Sequence, residues 1–279
     1  MLKRLLTSLM PLCIIGIVIL ALPGFSSAPV HLVASVSLQS PTDPQSFPPD
    51  PTSEIAWLGG TSTVADIQTA FNNAHTQENA QRGLSLPMFT MPSQAEWNVT
   101  SDADKALWLI NHEREARGVA PLHGVEANVN GVAQNYANYL LAHNAFSHTA
   151  DGHNPYERLN ANPTINACHD PLPVVENLAV FWTSGPSIPL PVERSIYAWM
   201  YEDKSDGNNW GHRHAILYYS YTENGGLPNM EGFLGIGRAN GPHMGWNYGE
   251  IIVMDVFDPC AAWVYTVGSN KCYLPTVRK

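Results

Sequence analysis

The sequence predicts an α+β fold, and three observations carry that prediction. Helical periodicities with capping signals fill the chain as far as Tyr219, strand-like runs fill its last quarter, and no internal repeat or phosphate-binding glycine motif breaks the order. Helices first and strands later give an α+β layering. With 279 residues, 44% of them hydrophobic, the chain can bury a core of one or two domains. Its net charge of -10 disfavours nucleic acid and anionic lipid as partners.

Residues 1–28 read as an export signal: Lys3-Arg4, an apolar run from Met10 to Leu22, and the small-residue processing site Ser26-Ser27-Ala28. The competing reading is a retained anchor. The apolar stretch from Met10 to Phe25 falls short of the roughly 17 to 20 residues of a spanning helix, and Pro11, Pro23 and Gly24 weaken it. Cleavage implies an extracellular protein with no stable membrane span. It also leaves Cys168, Cys260 and Cys272, for which Cys260–Cys272 is the favoured disulfide; pairing of either with Cys168, or three free thiols, is the alternative. Residues 29–54 form a Pro/Ser-rich linker with Pro41, Pro44, Pro48, Pro49 and Pro51.

An N-terminal extension, residues 55–100, follows. Thr63 and Asp66 offer a capping box, with Val64, Ile67 and Phe71 at helical spacing behind them, so a short amphipathic helix is expected. Leu84 to Pro92 is too apolar for a solvated loop and too rich in proline for a central strand; it is expected to strap onto the following domain.

Ser101 and Asp104 cap a helix through Ala106–Arg114 that ends at Gly118, with Pro121 beyond. Val129, Val132, Ala133, Tyr136, Ala137 and Leu140 form one apolar face of a second helix, whose pattern stops near Asn144. The run Phe146–Tyr156 is rich in turn residues and holds His148 just past that helix end. Glu176 is read as opening a helix through Trp182. Val192, Ile196, Trp199 and Met200 mark another helix, with Glu202 at its end. The run Asp203–Asn209 lacks the acidic spacing and closing Glu of a calcium loop. Strands are expected at Phe233–Gly237, Ile251–Phe257 and Trp263–Val267, the first two joined by a Gly-rich loop from Asn240 to Gly249.

His148, Glu176, Glu202 and His212 thus stand at the edges of elements rather than inside apolar faces. In these contexts the sequence resembles the CAP superfamily, or SCP domain, of cysteine-rich secretory, antigen 5 and pathogenesis-related proteins. The resemblance rests on Asn111 and Arg114 with Gly118 and Pro121-Leu122; Phe146-Ser147-His148 through Gly152, Pro155 and Glu157-Arg158-Leu159; Glu176-Asn177-Leu178-Ala179; Trp199-Met200 with Glu202; and Gly211-His212-Arg213. It implies a three-layer α/β/α sandwich over residues 101–267, followed by a tail, 268–279, and a groove holding two His and two Glu. Carried over residue by residue, His148 and His212 are the metal-facing imidazoles, with Glu176 and Glu202 as their carboxylate partners; His214 competes with His212.

Neutral imidazole is a good zinc ligand, and a carboxylate beside it fixes the tautomer and orients the ring. Two imidazoles leave coordination positions open, so reversible binding of a divalent metal such as zinc is expected, beside a small-molecule, lipid or peptide ligand. Two other readings stand beside this one. In the first, Glu176 or Glu202 acts as general base in a zinc-dependent extracellular hydrolase; in the second, the four residues are a purely structural polar cluster in an interaction protein. His112-Glu113 is not a metalloprotease motif, having no second His at the required spacing.

Overall fold

The computed structural model describes residues 47–166, 174–204, 209–218 and 232–257. The leader, Cys168, Cys260, Cys272 and the expected strand at Trp263–Val267 lie outside them. Eight helices and four strands follow in the order α1 (Val64–Arg82), α2 (Gln94–Val99), α3 (Asp102–Ala116), β1 (Gly124–Val125), α4 (Ala127–Ala142), α5 (Pro155–Asn160), α6 (Pro163–Asn166), β2 (Val175–Thr183), α7 (Pro191–Tyr201), α8 (Gly211–Ile216), β3 (Phe233–His243) and β4 (Trp246–Phe257) among the described residues. None of these helices is long and apolar enough to cross a membrane.

The sheet runs β1-β3-β4-β2, with β1 parallel to β3 and the other pairs antiparallel. Side chains alternate across it. Leu234, Ile236, Ile252, Met254 and Val256 point into the large core shared with α1, α3 and α7, whereas Ala239, Ile251 and Val253 meet Ala133, Tyr136, Ala137 and Leu140 of α4. Helices therefore cover both faces, an α+β sandwich. On the α4 side β3 carries glycine where the backbones touch: a Cβ on Gly235 would come within 2.4 Å of the Val129 carbonyl carbon, and one on Gly237 within 2.0 Å of the Ala133 oxygen. At that distance α4 reaches the strand backbone itself. Asn130 Oδ1 accepts from Ile236 N (3.0 Å), and the Gln134 amide bonds both N–H and C=O of Arg238.

The helix expected at Glu176–Trp182 is instead β2, paired with β4 from Val175↔Val256 to Thr183↔Tyr248. Leu178 and Val180 pack toward α4 while Ala179 and Phe181 pack toward the opposite core. A strand buried on both faces shows a continuous apolar run with no alternation. The Gly-rich loop expected between β3 and β4 is a tight hairpin instead, because both strands continue to the pair His243↔Trp246.

The extension is joined to the body. Thr63 and Asp66 make the capping box and α1 ends at Gly83, φ 67°, running 19 residues where a short helix was expected. Leu86, Phe89 and Met91 are buried. Their backbone is held by α1 side chains: the Asn79 amide bonds N–H and C=O of Leu86, the Asn72 amide does the same for Phe89, and Gln68 Oε1 accepts from Met91 N. Beneath this strap lies a buried ionic network. Glu78 of α1 pairs with Arg117 and, at 2.6 Å, with Arg213 of α8; Glu113 of α3 meets Arg117, His75 and the Tyr201 hydroxyl (2.8 and 2.9 Å). Two carboxylates face two guanidiniums, which is what makes four buried charges tolerable. Residues 47–55 are also attached: Asp50 pairs with His214, Gln81 accepts from Thr52 N and Ser53 N, and Ile55 N donates to Tyr201 O.

Candidate functional site

His148 sits in the turn after α4, which ends at Ala142 with Asn144 in the left-handed region at φ 50°. Two side chains fix its backbone. The Tyr136 hydroxyl donates to Ser147 O and accepts from Ala150 N (3.1 Å), bracketing the histidine. Arg158 of α5 donates to the carbonyls of His148 (3.0 Å) and His153 (2.7 Å) and to Asp151, with its guanidinium 3.4 Å above the Tyr136 ring centre. The His148 Nδ1 is 2.7 Å from Glu176 Oε1, and Arg158 also pairs with Glu176. The imidazole side chain is 48% exposed over a carboxylate that is 1% exposed. No described residue hydrogen-bonds its Nε2.

Glu176 is the second residue of β2, and its cross-strand partner on β4 is Asp255. Asp255 is buried, and neither of its oxygens meets an N–H or O–H donor among the described residues. Burial first, and then the Glu176 charge, push its pKa well above the usual carboxylate range. Two adjoining buried carboxylates cannot both ionise, and as the protonated acid Asp255 gains a partner by donating to Glu176.

The second imidazole is built differently. Asp203, shortly after α7, caps α8: its Oδ2 accepts from His212 N (2.7 Å) and Arg213 N (3.3 Å), and its Oδ1 lies 2.5 Å from His212 Nδ1. Asn177 of β2 donates to His212 O at 2.9 Å. Asp203, not Glu202, is thus the carboxylate beside His212. Glu202, the C-cap of α7, turns toward the extension, accepting from Trp57 N (2.7 Å) and pairing with Arg194 (2.5 Å). His214 is engaged with Asp50 and stacked on Phe47, ring centres 4.4 Å apart.

The four residues named from the sequence therefore do not meet as one tetrad among the described residues. Two carboxylate–imidazole pairs stand instead, His148–Glu176 and His212–Asp203, linked through the adjacent residues Glu176 and Asn177 at the start of β2, whose side chains leave opposite faces of the strand. No group of three or more His, Cys, Asp or Glu side chains is placed to hold a metal ion among the described residues. A depression of about 450 Å³ is lined by Tyr136, Tyr139, Asp151, His153, Glu157 and Arg158, so Arg158 is a wall of it as well as the clamp on His148. Sequence reasoning missed Asp203 and Asp255. Asp203 lay in the run dismissed as a false calcium loop, too far ahead of α8 to read as its cap, and Asp255 is a single acid in the apolar run Ile251–Phe257, so neither gave a local signal.

Residues 107–226 match the model of the cysteine-rich secretory protein family, CAP. No curated protein matches the chain. Among solved structures, an outer surface protein from Borrelia burgdorferi aligns at 17% identity over 56% of this chain and 92% of its own, with a TM-score of 0.38. An extracellular protein containing an SCP domain from Bacillus anthracis aligns at 17% identity over 55% of this chain and 40% of its own, with a TM-score of 0.34. Residues 107–226, which hold both imidazoles and the two carboxylates paired with them, are thus similar to the CAP family.

Proposed function

We propose that this is an exported CAP-domain protein that binds a divalent cation, zinc foremost, through His148 and His212, next to a surface that takes a small-molecule, lipid or peptide ligand. The observation that carries this reading is that each imidazole has its Nδ1 held by a carboxylate, Glu176 or Asp203. That contact sets the tautomer that keeps the lone pair on Nε2 and raises its basicity, as in zinc-ligating histidines. Two imidazoles are fewer ligands than the four protein groups of a closed structural site, so an ion shared by them would be held loosely and reversibly. A bound cation would supply a Lewis-acidic contact for a ligand oxygen; the protein's own part is to hold both rings and, through Arg158 and Asp255, to hold Glu176.

Titration calorimetry with zinc tests it. His148→Ala or His212→Ala should abolish the binding heat, and Glu176→Gln or Asp203→Asn should weaken binding by about 10 to 100-fold. Glu202→Gln, whose side chain serves Arg194 and Trp57, should leave it unchanged. Equal binding in both histidine variants, or no heat from the wild type at millimolar zinc, would remove the reading.

A further inference from the structure

The end of the sheet remote from Glu176 has a different chemistry from the rest of the molecule. Three segments meet there: the turn after α4, the chain leaving β2, and the β3–β4 hairpin. Met244 N donates to Asn144 Oδ1, His243 Nε2 faces Ala145 O at 3.1 Å, and Trp182 Nε1 donates to His243 Nδ1 at 3.3 Å. Residues 142–147, 180–192 and 239–249 contain no Asp, Glu, Lys or Arg, in a chain with 38 of these residues and a net charge of -10. The same segments carry four exposed large apolar side chains: Trp246 (50%), Met244 (43%), Trp182 and Phe146.

Met244 and Gly245 form the hairpin tip, with φ of 50° and 84°. A two-residue turn with positive φ at both positions favours Asn-Gly or Asp-Gly, because an unbranched apolar side chain gains nothing locally to offset the left-handed conformation. The tip thus keeps a costly residue that is apolar and in water. The fold does not require it there, and the adjacent Trp246 is exposed as well.

We propose that this uncharged end is a membrane-contacting surface that seats Met244, Trp246, Trp182 and Phe146 in the interfacial layer of a bilayer. Tryptophan favours that layer, with its ring in the acyl boundary and its N–H among headgroups. An acidic protein is repelled by anionic headgroups, so its contact is expected where formal charge is absent, on zwitterionic lipid and with little dependence on salt. The proposal is independent of the cation site.

The test uses the full chain with vesicles of brominated phosphatidylcholine, which quench tryptophans in contact with lipid. Residues 1–46 contain no tryptophan, so insertion of the apolar leader alone gives no signal. Wild type should be quenched to the same extent in about 0.05 and about 0.5 M salt, a roughly tenfold range over which charge attraction would be lost. Met244→Asp makes the tip Asp-Gly, a turn that suits the hairpin, so the variant should fold with an unchanged or higher Tm while its quenching falls severalfold. Absence of quenching in wild type, or equal quenching in a folded Met244→Asp, overturns the proposal. So does a concentration-dependent dimer, seen by sedimentation without lipid and abolished by Met244→Asp, which would make a second copy the occupant.

Discussion

Two histidine–glutamate–arginine triads in this molecule share a connectivity and differ in their surroundings. In one, His75 faces Glu113, which pairs with Arg117; in the other, His148 faces Glu176, which pairs with Arg158. The His75 side chain is 0% exposed, its Nδ1 is 2.5 Å from Pro87 O, its Nε2 is 3.4 Å from Glu113, and Phe89 packs edge-on against it. That triad ties α1 and the strap to α3, with both ring nitrogens occupied. In the second triad the carboxylate and guanidinium are nearly as covered, but the ring stands half in solvent with one nitrogen engaged by Glu176. The same three residue types make a rivet where the ring is enclosed and a solvent-facing group where it is not. Residue type alone therefore says little about role, and exposure of the second nitrogen decides.

The largest expected effect breaks or sustains this contrast directly. His75→Ala should cost about 3 kcal/mol, from the cavity it leaves and the partners it strands, while His148→Ala should cost about 0.5 kcal/mol. Urea denaturation of both variants checks it, and equal losses would show the two triads to be equivalent.

Next in size is the pH response of the enclosed triad. Burial opposes ionisation of Glu113, but Arg117 and His75 outweigh it and hold the carboxyl down to about 2, below its ordinary 4.5. A depressed folded pKa gives stability that is present above the unfolded value and lost as pH falls through the folded one. On the order of 3 kcal/mol should thus disappear between pH 4.5 and about 2. Urea midpoints followed from about pH 6 to about pH 2 should show that loss in wild type, and Glu113→Gln, already weakened at neutral pH, should lack it.

The remaining effect belongs to the exposed triad and has the opposite sign. Asp255 keeps its proton in the folded state above the pH at which the unfolded chain releases it, so stability falls as pH rises from about 4. Asp255→Asn can donate to Glu176 without a proton to lose. Its Tm, measured against wild type, should rise as the pH is raised above about 4; a constant difference would place no retained proton at this position.

Local structure was legible where periodicity and caps agree. Ser101 before α3, the apolar face of α4 from Val129 to Leu140, and Val192 to Met200 of α7 all form as their spacing predicts. Glu-Asn-Leu-Ala-Val-Phe-Trp was not legible, because Glu, Leu and Ala favour helices and a strand covered on both faces shows no period of two. In the site, the pairing of His148 with Glu176 came through from family context. The partner of His212 was off by one residue, since the turn after α7 decides which of Glu202 and Asp203 faces α8. Glu78 with Arg117 and Arg213 left no trace at all: their separations of 39 and 135 residues have no local signature, and each residue alone reads as solvated surface.

The side-chain amides that grip backbone have a consequence for chain length. Asn72 and Asn79 are seven residues apart on a helix, a rise of about 10.5 Å, and they hold Phe89 and Leu86, three residues apart in an extended chain, about 10 Å. Asn130 and Gln134 span about 6 Å of α4 against the roughly 7 Å from Ile236 to Arg238 of β3. In both places a helix acts as a ruler graduated to an extended segment. Substitutions between the graduations are tolerable to such a device, but one residue inserted between Leu86 and Phe89 would slide every mark out of reach at once. The spacing of the amides, more than the identity of what lies between them, is what this fold has to keep.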